Sequence, residues 1–210
     1  MEKRTRSPWL FLLALAAAIA AFTSLGPSER SLGLNVRVVY LHGAWVWAAL
    51  ASFLAAAAAG LAGFLRDRAS GSGPSAWHRW SRALGRTGLL FWITYLPISM
   101  WAMQTNWNGL FLAEPRWRLA VVFAVAGLLL QLGVTLMEDA RWASAGNLVF
   151  AGALFLALRT TENVMHPPSP VFDSDSLRIQ LFFAGLLALI LLAALQIARL
   201  WLRLDRPLSS

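Results

Sequence analysis

His42, His78 and His166 are the three histidines of this 210-residue sequence, and an imidazole can both move protons and bind a metal near neutral pH. Cysteine is absent, which excludes a disulfide framework, a Cys-x-x-Cys redox pair and a Cys-x-x-Cys-His haem-attachment site. His42 opens an apolar run as Tyr40-Leu-His42-Gly-Ala-Trp45. His166 lies in Asn163-Val-Met-His166-Pro-Pro-Ser-Pro170, where the prolines deny helix continuation and would hold the ring in a fixed loop. Between them runs an aromatic stretch, residues 104–118, with Trp107, Phe111 and Trp117 beside Arg116 and Arg118. Flat rings next to two guanidinium groups suit a flat, apolar ligand with acidic edges, because aromatic faces pack on a macrocycle and guanidinium pairs bidentately with carboxylate. Haem with its two propionates fits that description, and His42 and His166 as neutral imidazoles would complete its iron. The same residues also fit simpler roles. An interfacial aromatic belt accounts for many of the 11 tryptophans, a histidine at a helix end can cap it, and a proline-rich loop can be only a connector.

The elements that position these residues follow from composition. Hydrophobic residues make up 58% of the chain and the mean hydropathy is +0.59, outside the range of a water-soluble chain of this size. Charged residues, 13% of the total, fall between apolar runs each about long enough to cross ~30 Å of hydrocarbon. The runs are Trp9 to Leu25, Tyr40 to Leu65, Thr87 to Met103, Leu119 to Met137, Trp142 to Leu158 and Ile179 to Leu202. They are continuous and rich in Leu and Ala, so membrane strands of alternating polarity are excluded. The expected fold is all-α: a single polytopic membrane domain of six transmembrane helices.

Twelve of the 18 basic residues flank the N-terminus, the ends of runs two and four, and the C-terminus, against six on the other side. The positive-inside rule then places both termini in the cytoplasm and the first, third and fifth loops outside. The net charge of +8 is thereby read as topology, with membrane lipid rather than nucleic acid as its counterpart. The basic start and small residues of the first run also match an uncleaved signal peptide. Residues 66–86 carry Trp77, Trp80 and Leu84 at helical spacing against Arg79, Arg82 and Arg86. The expectation there is an amphipathic cytoplasmic helix on anionic lipid or a docking surface, with His78 an interfacial cation. The apolar runs hold almost no ionisable residues, which argues against a pump. The second run, 26 residues, is about 39 Å long as a helix, so His42 is expected at the outer interface, on the same face as His166.

The order of these features resembles the cytochrome c assembly proteins that handle haem, in particular the six-helix heme exporter protein C group. Tyr40-Leu-His42-Gly-Ala-Trp45 is similar to their first-histidine stretch opening helix two. Trp107-Asn-Gly-Leu-Phe111-Leu-Ala113-Glu114-Pro115-Arg116 is similar to their tryptophan-rich loop, and Met165-His166-Pro167 to their second histidine. Phe111 and Ala113 stand where the group has two tryptophans, the glycine is displaced by one place, and Glu114 replaces Asp. The resemblance, over roughly residues 38 to 200, implies a carrier and not an enzyme. Such a carrier holds non-covalent haem b at the outer face of the cytoplasmic, or inner, membrane and presents it to a haem chaperone or an apocytochrome c. His42 and His166 would be the axial ligands, Trp107, Phe111 and Trp117 the platform, and Arg116 and Arg118 the propionate partners, with Glu114 fixing Arg116. Partner subunits would include those of an ABC-type exporter. Two rivals stand beside it: a b-type cytochrome electron-transfer subunit, and a haem-free structural subunit of a membrane complex, to which Phe111 and Ala113 point.

Overall fold

A computed structural model describes residues 7–71, 75–137, 139–162, 171 and 174–205. Six helices follow one another: α1 (Pro8–Ser24), α2 (Val36–Ser70), α3 (Ala76–Trp107), α4 (Pro115–Leu136), α5 (Ala140–Thr160) and α6 (Leu177–Leu204). No strand occurs among the described residues. Four helices, α2, α4, α5 and α6, are long and apolar enough to cross a membrane. Their outer faces expose large apolar side chains in rows, such as Val122, Val125, Leu129, Leu132 and Leu136 on α4. Water does not tolerate apolar patches of that extent on a monomer, so these faces point to a membrane-embedded protein. α1 is shorter at 17 residues, and α3 is diluted by Thr, Ser, Tyr and Trp side chains.

α2 is the central element, packing along most of α3 and against α5 and α6. Its buried stripe of Ala44, Ala48, Ser52, Ala56, Gly60 and Gly63 is small at every step. Lipid gives two helices no hydrophobic reason to associate, so close backbone approach and interhelical hydrogen bonds must do it. The fit is tight: a Cβ on Gly88 of α3 would sit 2.7 Å from the Phe53 ring, and one on Gly60 would sit 3.0 Å from Ser144.

The helix limits lie within about four residues of the apolar runs except at α3. Residues 76–86, expected as a separate interfacial helix, are the first turns of α3 itself. Their polar face is the buried one: His78 and Ser81 are fully buried, whereas Trp77 is 47% exposed. His78 is therefore not an interfacial cation. In a bilayer the apolar face can meet lipid while small and polar groups meet other helices, which inverts the reading appropriate to a helix lying on a surface.

α2 begins where α3 ends, and Asn35 Nδ2 donates to Thr105 O at 3.0 Å to close that end. The 108–114 loop lies there, so it is called the loop end. The opposite end, carrying Arg66, Arg68, Arg79, Arg82, Arg86 and Arg141, is the arginine end.

Candidate functional site

At the loop end, α3 stops because Asn108 turns left-handed, with φ 52°. Asparagine tolerates that region better than other non-glycine residues. The chain then reaches Glu114, whose carboxylate accepts the Trp117 N–H at 2.6 Å and caps α4, with Pro115 in the first turn. An acidic N-cap followed by proline satisfies a free N–H and presets the helical φ. Glu114, the residue expected to fix Arg116, makes this cap.

Trp107, the last residue of α3, and Leu110, Phe111 and Leu112 of the loop are all exposed. The Trp107 and Phe111 rings meet edge to face, 6.0 Å apart at 79°. That geometry offers one flat face to a ligand and not two parallel plates. Trp117 and Arg116 are half-buried and Arg118 is exposed.

His42 lies on α2, seven residues and so about 10 Å below Asn35. Its half-buried ring packs against Tyr95 of α3 with centroids 5.6 Å apart. Tyr95 in turn stands edge-on to Trp92, at 5.0 Å, and Trp92 Nε1 donates to Ala120 O of α4 at 3.0 Å. Thus Tyr95 and Trp92 tie the His42 position to the start of α4, next to the aromatic loop. His166 lies outside the described residues.

This end brings together a half-buried imidazole beside Tyr95, exposed flat rings and two guanidinium groups on the turn that starts α4.

The arginine end holds a second polar constellation, of which only His78 drew notice in the sequence. His78 Nδ1 lies 2.7 Å from Ser144 Oγ of α5, and His78 Nε2 lies 3.2 Å from Asp67 Oδ2 of α2. Asp67 also accepts Arg141 Nη2 at 2.9 Å and the Ser75 N–H at 3.0 Å. A Cβ on Gly63 would come within 2.7 Å of the His78 ring, so glycine is what admits the imidazole. Burial alone would push the Asp67 carboxyl up, but the hydrogen bonds from Arg141, Ser75 and His78 outweigh it and hold it below the ordinary carboxylate value. The Asp-His-Ser order has the make-up of a nucleophile relay. Ser144 is fully buried, however, and no substrate bond can reach it, so the constellation ties α2, α3 and α5 together. One turn deeper, Asn147 donates to Ser81 O at 2.8 Å and accepts from Gln131 at 3.2 Å, adding α4. Ser144 and Asn147, polar and three apart in an apolar run, were the available signal for this glue.

Comparison with protein-family models, with curated proteins and with solved structures finds no match. The likeness to the haem-handling cytochrome c assembly proteins accordingly rests on the motifs of the sequence.

Proposed function

We propose that this chain is a haem-handling membrane protein of cytochrome c maturation. It would have six spans, both termini in the cytoplasm, and a site on the outer side of the cytoplasmic membrane. The observation that carries the reading is the placement of His42, half-buried against Tyr95 near the loop end, where Trp107 at the end of α3 and Phe111 in the 108–114 loop are both exposed. A carrier needs such a half-open site: an imidazole dry enough to bind iron and aromatic cover loose enough to let the ligand leave. A redox subunit would hold its haem between facing helices instead. Among the described residues, the ring that α3 sets against His42 is Tyr95. The proposed roles are His42 and His166 as axial ligands, Trp107, Phe111 and Trp117 as cover, and Arg116 and Arg118 as propionate partners. Partner subunits would include those of an ABC-type exporter, and a haem chaperone or an apocytochrome c would receive the cargo.

The test is an absorption spectrum of the detergent-purified protein, oxidised and dithionite-reduced, beside His42→Ala and His166→Ala. The expected result is a low-spin Soret and a sharp α band in the parent, lost or shifted to high spin in each variant. A parent that stays colourless after haem is added back sinks the ligand assignments and favours the haem-free structural subunit.

A further inference from the structure

A lateral groove of about 930 Å³ runs between α1 and α3, with α2 as its floor and Ala193 and Ile197 of α6 at its base. On α1 its wall extends from Trp9 to Ser24 and on α3 from Leu90 to Thr105. Each stretch is 15 residue steps, or about 22 Å at ~1.5 Å per step. The groove therefore follows the helix axes through most of the depth of a ~30 Å hydrocarbon layer. Its volume lies within the range of small-molecule pockets.

The walls are apolar or small over most of this length, with Leu12, Ala16 and Ala20 on α1 facing Leu41 and Trp45 on α2. The floor is fixed, because Trp45 Nε1 donates to Thr94 Oγ1 at 2.8 Å. Polarity gathers at the loop end, where Ser24, Asn35, Arg37 and Thr105 line the mouth. Arg37 is the single charged residue of the lining, and no carboxylate joins it there. Its Nε donates to Gly26 O at 2.9 Å, which anchors the guanidinium at the mouth. Among the described residues its terminal nitrogens carry no ion pair.

We infer that the groove is a binding site for a single anionic phospholipid, its acyl chain along α1 and its phosphate against Arg37. The occupant follows from the shape and the charge. A long, apolar, laterally open channel takes a flexible chain, a guanidinium with no ion pair among the described residues takes a phosphate at the mouth, and anionic lipid pays little to enter from the bilayer. The inference rests on residence in a bilayer and not on haem, so it stands or falls separately from the proposed function.

The experiment is native mass spectrometry of the full chain released from nanodiscs holding equal amounts of phosphatidylglycerol and phosphatidylcholine. The expected result is one retained lipid per chain with phosphatidylglycerol enriched roughly tenfold, a difference of about 1.4 kcal/mol. Arg37→Gln should keep a retained lipid but bring the two classes to parity. Ala16→Phe should remove both by filling the channel; Ala20→Phe, one turn on, repeats the test should the first variant fail to purify as a folded monomer. Both alanines are exposed on α1, so bulk there does not disturb the core. A parent that retains no lipid, retains the two classes equally, or binds unchanged in both phenylalanine variants overturns the inference.

Discussion

Single residues at the arginine end decide whether polar groups can be buried in an apolar bundle at all. Asp67 is the junction, receiving Arg141, His78 and the Ser75 N–H at once. A carboxylate held below its ordinary value favours the folded state at every pH where the unfolded carboxylate is ionised, and that contribution disappears as pH falls through the lowered folded value. Asp67→Asn should therefore lower the melting temperature at pH 7, with parent and variant converging below about pH 4. Thermal unfolding in detergent at the two pH values checks this; a gap that widens in acid contradicts the assignment. None of this junction was legible from Asp67 or His78 alone, because the sequence shows which groups are polar but not which face of a helix meets protein. His42, by contrast, was legible as a residue near the start of α2, though it sits about 10 Å deeper than Asn35 and not at the helix mouth. Its neighbour Tyr95 was not foreseen, since a tyrosine 53 positions away becomes adjacent only through antiparallel pairing of α2 with α3.

At the scale of elements, apolar runs located all six helices, while the capping chemistry set their ends. Leu119 was the expected start of the fourth run, but the helix starts at Pro115 because Glu114 caps it. That start was readable from the acidic residue and the proline together. The third run was expected from Thr87 and begins at Ala76; hydropathy failed there because the turns that bury His78 and Ser81 are not apolar. α3 also continues through Pro97, which a membrane helix accepts where its neighbours satisfy the freed carbonyl. Glu114→Ala removes the α4 cap and should cost about 1 kcal/mol, seen as a fall of roughly 2–4 °C in melting temperature for a chain of this size. Glu114→Asp keeps an acceptor and should recover most of it. If alanine melts like the parent, the Trp117 bond does not hold the start of α4, and the aromatic loop is anchored by its side chains instead.

The whole molecule has two unlike ends. Polar ties at the arginine end join α2, α3, α4, α5 and α6: the Asp67 junction, the Ser81–Asn147–Gln131 chain, and Arg86 bonded to Asp205 at 2.9 Å while its guanidinium lies 5.5 Å from the Trp201 ring centroid. Each interhelical hydrogen bond in a membrane contributes only about 0.6 kcal/mol on average, so it is their number that closes this end. At the loop end, among the described residues, Asn35 bonds Thr105, Arg37 bonds Gly26, Tyr40 bonds Pro27 and Trp92 bonds Ala120, and the aromatic loop is exposed there. The proposed function puts ligand exchange at the loop end. Which side that is can be measured directly, because the chain has no cysteine and any introduced thiol is the sole label site. Ala113→Cys, in the exposed loop, should react with a membrane-impermeant maleimide on intact cells, and Ser70→Cys, at the end of α2, only after permeabilisation. The reverse pattern would turn the molecule over and put the His42 end in the cytoplasm. Labelling of both from one side would mean that α3, the least apolar of the long helices, does not cross, and the six-span arrangement would fail with it.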